Sequence, residues 1–231
     1  MKRNREEPKL APDNIHYEIN GKLYTRVSQI LSMRPRAGLD KWKAEIGENA
    51  DDIVDALAVM GDKVHVVTAH SDRGERKPMV AMLDADPWLL PFLLSWEEWV
   101  RNYVKKWIAI EHIVWSDKYM IAGRTDRIAV IRGDNQPSTI DIKTGGFWEE
   151  HGLQLALYKK MHNEKEKTKV QRAMVVGWNY DRSNKPRTMT DYIKMRMNPG
   201  TMRVKEYTSK KDEEEAIKMV KEYNKMFGIR R

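Results

Sequence analysis

The chain contains no cysteine. That absence excludes disulfides, thiolate metal sites and cysteine nucleophiles together, and it argues against a small secreted scaffold held by cross-links. Long apolar runs are missing as well: the longest patch, Trp88 to Leu94, falls far short of a membrane span and is interrupted by Pro91. The opening MKRNREEPKLAPDN is charged and never develops the apolar centre of a secretory signal. There is no internal repeat. These absences predict a cytoplasmic chain with no membrane partner.

What is present fits a polar-surfaced globular protein. Of 231 residues, 41% are hydrophobic and 33% charged, enough for one substantial core. Lysine and arginine number 42 against 34 acidic residues, and the net charge of +8 suits a polyanionic partner. Residues 1–14 read as a loose tail and 15–231 as one domain, mainly helical to 110 and sheet-containing from 111.

The hydrophobic pattern supplies the elements. Tyr17 to Val27 alternates around Asn20-Gly21, a hairpin signal. Ser28 is placed to cap a helix over Gln29–Met33, and Leu39–Ile46 reads as another that Gly47 closes. Ile53, Leu57, Met60, Val64 and Val67 fall at helical spacing in a long helix from Asn49 to Ala69. Residues 71–77 read as a charged loop, and Pro87 opens a tryptophan-rich helix to Trp107. The period then changes to two. Strands are expected at Glu111–Ser116, Met120–Ile131, Thr139–Lys143, Val170–Trp178 and Met189–Met197, with helices at Phe147–Met161 and Lys210–Met226. The pattern predicts an α/β (α+β) domain with a central mixed sheet.

The stretch IAGRTDRIAVIRGDNQPSTIDIKTGG, from Ile121 to Gly146, carries the chemistry. Two β-runs flank a turn, and residues two apart on a strand share a face, so Asp141 and Lys143 point one way and Ile140 and Ile142 the other. A hairpin brings Asp126 near them, with Asp141 on an open face. Hard divalent cations take carboxylate oxygens together with substrate phosphate and water. A lysine beside such carboxylates offers a point charge to a phosphate or to the attacking water. The triplet Asp-x-Lys alone also describes an ordinary solvated strand face. The added context is Asp126 after Gly123, the stop at Thr144-Gly145-Gly146, and a following helix with Gln154 and Tyr158 on one side.

Taken together, GRTDRIAVI, TIDIKTG and QLALY resemble the PD-(D/E)xK nuclease superfamily and, within it, the RecB-like exonucleases, which include the mitochondrial genome maintenance exonuclease and many phage enzymes. Gly61-Asp62-Lys63-Val64-His65 resembles the helical histidine motif of that branch, and YEINGKLYTRVSQIL the opening of its phage members. The resemblance implies a restriction-endonuclease-like core and a Mg²⁺- or Mn²⁺-dependent DNA exonuclease. It implies a DNA partner that is single-stranded or has free ends, a possible recombination partner protein, and a bacterial or phage-infected host. It also implies a cation held by His65, Asp126, Asp141 and the Ile142 carbonyl, with Lys143 acting on water or phosphate and Gln154 and Tyr158 positioning it. Cluster-bearing members use four cysteines, so no iron–sulfur cluster is expected. Arg124, Thr144 and Lys159 are candidate phosphate contacts. Glu111 stands where members often carry a glutamate, and equally where a surface glutamate would. A structure-specific endonuclease and a non-catalytic DNA-binding module on the same fold remain open.

Overall fold

The computed structural model describes residues 8–181, 183, 186–207 and 209–229. Its first elements are β1 (Lys9–Leu10), β2 (His16–Ile19) and β3 (Lys22–Arg26). Asn20 and Gly21 join β2 to β3 with φ of 51° and 72°, the left-handed pair that a two-residue hairpin demands. Five helices follow: α1 (Val27–Leu31), α2 (Ala37–Ile46), α3 (Ala50–Asp72), α4 (Arg76–Ala85) and α5 (Leu90–Tyr103), with a 3₁₀ turn at Pro87–Leu89. The remaining elements are β4 (Val104–Ser116), β5 (Ile121–Ile131), β6 (Pro137–Lys143), α6 (Glu150–Lys165), β7 (Arg172–Trp178), α7 (Met189–Met197), β8 (Met202–Glu206) and α8 (Lys210–Met226).

The eight strands among the described residues form one mixed sheet. β5 organises it. β4 runs antiparallel along one edge of β5 for its whole length. The other edge is shared: β3 pairs with Ile121 and Ala122, while β6 pairs with Arg127 to Val130. Between those ladders, residues 123–126 have no strand partner on that side among the described residues. β6 leaves β5 there to continue beside β7, in a parallel ladder that reaches Lys143 and Gly177. The sheet therefore forks, and the polar groups of the fork are available to side chains.

Helices cover both faces. On one, α3 and α5 bury Val64, Val67, Phe92, Trp96 and Trp99 against Ile140, Ile142, Met174, Val176 and Trp178. On the other, α1, α6 and α8 pack Ile30, Leu157, Met161 and Val220 against Val114 and Ile121. The alternate residues of β7, Ala173 and Val175, meet Leu155 of α6. The parity of β6 thus turns Ile140 and Ile142 toward α3 and α5, as the alternation predicts.

Several expectations are corrected. Residues 1–7 of the expected tail lie outside the described residues, but Lys9 and Leu10 pair with β2 as a strand. Helix α1 begins at Val27 and Ser28 does not cap it. The segment read as a loop from 71 to 77 contains the end of α3 and the start of α4. The tryptophan helix ends at Tyr103, and the strand expected from Glu111 begins at Val104, because Val104 pairs with Ile131. Tryptophan spacing kept the helical period alive there, and long-range pairing overrides it. Met189–Met197 is a helix and not a strand. Thr188 accepts from the Asp191 amide while Asp191 reaches back, a capping box that starts α7. The strand paired with β7 is β8 instead. Arg182, Asn184 and Lys185, between β7 and α7, lie outside the described residues.

Candidate active site

The fork gathers ionisable groups from three elements. His65 of α3, Glu111 of β4 and Asp126 of β5 each bring one ligand atom within 4.8 Å of the others. His65 Nδ1 lies 3.5 Å from Asp126 Oδ2. The same carboxylate oxygen accepts a 2.7 Å hydrogen bond from the Ile142 amide, so Asp126 takes the place that a β5 carbonyl would hold if the ladder continued. Glu111 stands opposite Asp126 in register, between the pairs Ile110–Arg127 and His112–Thr125. Its φ of 53° is left-handed, a strained conformation for a residue with a side chain.

Beneath this cluster is a buried cation. Arg127 is fully buried and donates to Asp72 (2.6 Å), to Glu111 Oε1 (2.8 Å), to the Asp126 carbonyl (2.8 Å) and to Thr68 (3.2 Å). Asp72 in turn accepts from Trp96 Nε1 at 3.0 Å. Burial pushes the Asp72 carboxyl up to about 6 against the pull of Arg127. This network fixes the backbone at Asp126 and one oxygen of Glu111.

Asp141 and Lys143 lie one strand further on. Their side chains form an ion pair at 2.8 Å. Asp141 is 2% exposed, which corrects the expectation of an open position. Burial pushes its carboxyl up to about 6, opposed by Lys143 and reinforced by Asp126. Burial works against the charged form of Lys143, but Asp141 and Asp126 outweigh it and hold the ammonium above its ordinary value. Asp141 Oδ2 receives no well-directed hydrogen bond, although the ammonium is beside it.

Helix α6 closes the site from the other face. Gln154 Nε2 donates to Tyr158 Oη at 3.0 Å, as neighbours four apart on a helix can. The Tyr158 ring fits against β5 only because residue 123 is glycine; a Cβ there would come within 2.4 Å of Cε1. Burial holds the Tyr158 hydroxyl well above its ordinary range, so it is a donor, not an anion. Arg196 donates to the Thr144 carbonyl and Arg203 to the Gly145 carbonyl at 3.0 Å, pinning the loop after β6. A cavity of about 1050 Å³ opens over Lys143 and Gln154, lined by Trp42, Trp148, Tyr192 and Arg36 among others.

Of the residues expected from sequence, the fork brings together His65, Asp126, Asp141, Ile142 and Lys143, with Gln154 and Tyr158 alongside. Thr144 sits at the rim against Gly61, whose Cβ would stand 3.1 Å from its hydroxyl. Arg124 is there too, paired with Glu111 Oε2 at 2.9 Å. Lys159 is not brought to the fork. It donates to the Gln171 carbonyl at 2.7 Å, just before the end of β7 that lies away from Lys143. Glu111 joins the ligand cluster without having been singled out as a ligand, and Arg127 was not considered. The only signal for Arg127 is an arginine directly before the apolar run Ile128-Ala129-Val130-Ile131.

The donor set suits a divalent metal. Two carboxylates and an imidazole converge, and a buried carboxylate oxygen beside them lacks a directed donor. Such oxygen-rich sites suit hard divalent cations. With no cysteine, an iron–sulfur cluster has no ligands. No helix among the described residues is long and apolar enough to cross a membrane. No curated protein matches the chain. A family model for the PD-(D/E)XK nuclease superfamily, however, matches residues 34–230, nearly the whole of the fork and its helical cover. The forked mixed sheet flanked by helices is consistent with the restriction-endonuclease-like core, and the chain belongs to the PD-(D/E)XK nuclease superfamily.

Proposed function

We propose that the protein is a DNA exonuclease of the RecB-like branch that depends on Mg²⁺ or Mn²⁺ and hydrolyses phosphodiester bonds from strand ends. The observation that carries the reading is the convergence of His65, Glu111 and Asp126 within 4.8 Å beside the Asp141–Lys143 pair. In this reading His65, Glu111, Asp126, Asp141 and the Ile142 carbonyl hold the cation. When bound, the metal supplies an acidified water and neutralises charge on the phosphate. Lys143 holds its proton, orients the attacking water and faces the charge that grows on the phosphate oxygens. Tyr158 and Gln154 fix the position of that ammonium and exclude bulk water from behind it. Trp42, Trp148 and Tyr192 give the cavity flat apolar surfaces on which unpaired bases can stack, and Arg36 offers a phosphate contact. That lining favours a single strand over a duplex.

A labelled-DNA assay tests this. Linear single-stranded DNA should be shortened from its end when magnesium or manganese is present, and closed circular DNA should persist. Lys143→Ala should lower single-turnover cleavage by at least about a thousandfold while DNA binding stays close to wild type, because the ammonium acts chiefly on charge formed in the transition state. Equal digestion of circles would replace the exonuclease with an endonuclease. Binding without any cleavage would leave only a DNA-binding module.

A further inference from the structure

The exposed positive charge of Arg124 is held at the fork by Glu111, a proposed metal ligand. Glu111 has two carboxylate oxygens and two arginine partners. Oε1 takes Arg127 Nη1 at 2.8 Å, and Oε2 takes Arg124 Nε at 2.9 Å. The two arginines differ completely in their freedom. Arg127 is fully buried and also bonded to Asp72, Thr68 and the Asp126 carbonyl, so it cannot leave. The Arg124 side chain is 58% exposed, and among the described residues its one ionic partner is Glu111. The Glu111 oxygen that the buried guanidinium leaves unclaimed is the one that Arg124 occupies.

We propose that Arg124 is a placeholder for the divalent cation at Glu111, and that metal binding releases its guanidinium to take a substrate phosphate. This rests on the metal-dependent nuclease reading and goes beyond it by coupling metal loading to DNA binding through one residue. An ion pair with an exposed guanidinium is a weak interaction, whereas the cation gains several ligands at once, so the exchange runs toward the metal. The freed guanidinium stays tethered to β5, two residues from Asp126. Its planar fork matches two phosphate oxygens, which a lysine there could not do. While the metal is absent, the pair offsets the carboxylates that would otherwise repel one another in the cluster. The Glu111 carboxylate lies between both arginines and the ligand cluster, on a backbone position with left-handed φ.

The exchange has a signature that a fixed structural salt bridge lacks. Calorimetric titration of Mn²⁺ into DNA-free protein should give Arg124→Ala an affinity about two- to fivefold tighter than wild type, since a competitor has been removed. Binding of an end-labelled single-stranded oligonucleotide should then be measured with and without Ca²⁺, which takes similar oxygen ligands and holds cleavage off. With Ca²⁺ the variant should bind about tenfold more weakly, and its salt slope should fall by about one. Without a divalent cation the variant and wild type should bind alike. Manganese affinity that is unchanged or weaker in Arg124→Ala, or a DNA-binding loss that is the same with and without Ca²⁺, overturns the exchange. Asp126→Ala separates the two levels. If it abolishes manganese binding while Arg124→Ala changes nothing, only the exchange falls; if Asp126→Ala binds manganese like wild type, the cation site itself is wrong and the exchange falls with it.

Discussion

Single residues at this site are tuned by burial and by each other's charge. His151 shows the effect outside the ligand cluster. It lines the cavity near Lys143, and its Nδ1 accepts the Trp148 amide at 3.2 Å. Burial first, then the positive charges of Lys143, Lys205 and Arg36, lowers its imidazole to about 3. The sign follows directly. A depressed histidine stays neutral in the folded chain while the unfolded chain takes up a proton near pH 6.5. Its contribution is thus complete above that pH and is lost as pH falls from 6.5 toward 3. His151→Gln keeps an acceptor for the Trp148 amide and removes the titration. Between pH 7.5 and 5.5 wild type should lose about 1 kcal/mol more stability than the variant. Denaturant unfolding at the two pH values measures it, and equal losses would show that His151 protonates freely in the folded protein.

At the scale of elements, the site depends on where β6 ends and how tightly β7 follows it. Gly177 lies beside Lys143 in the parallel ladder, and a Cβ at 177 would stand 2.1 Å from the Lys143 carbonyl oxygen. Backbone cannot yield there without moving the strand. Gly177→Ala is therefore expected to cost about 1–3 kcal/mol of stability and to reduce cleavage by displacing Lys143. Chemical denaturation and a single-turnover assay would check both. A variant as stable and active as wild type would mean that β7 shifts without carrying the site. The elements differ in how far their sequences reveal them. The β2–β3 turn, α3, β5 and α8 are readable because local chemistry and tertiary packing agree: Asn20-Gly21 suits only a tight turn, and Ser209 does cap α8. β4 and α7 are not. The first extends a helical rhythm of tryptophans into a strand, and the second alternates methionines as a strand would while its capping box makes a helix.

For the molecule as a whole, the proposed cation site would cross-link α3, β4, β5 and β6. Its residues are far apart in the chain, so an unfolded chain holds the metal poorly and binding favours the fold. Mn²⁺ at about a hundred times its dissociation constant should add about 2.7 kcal/mol. For a protein of this size that is a rise in melting temperature of roughly 5–10 °C. His65→Ala should remove most of the rise. Thermal unfolding in manganese against a chelator measures it, and an undiminished rise in His65→Ala would exclude the histidine as a ligand.

The sequence by itself determined the chemistry of the site more fully than its shape. Asp141 and Lys143 share a face by strand alternation, which is local, whereas His65, Asp126, Gln154 and Tyr158 stand out only through the resemblance of their motifs to the nuclease superfamily. The absence of cysteine excluded a cluster cofactor without any structure. Only the tertiary structure decided that the sheet forks before Arg127, that Asp141 is buried and shares its charge with Lys143, and that Glu111 joins the cluster from a left-handed backbone position. It also decided that Lys159 lies at the far end of the sheet and that Arg127 is buried beneath the site with four partners. None of these follows from residue spacing, because each depends on which strand pairs with which and on what is excluded from water. Periodicity tells a side chain which face to take; the packing of distant elements decides what it meets there.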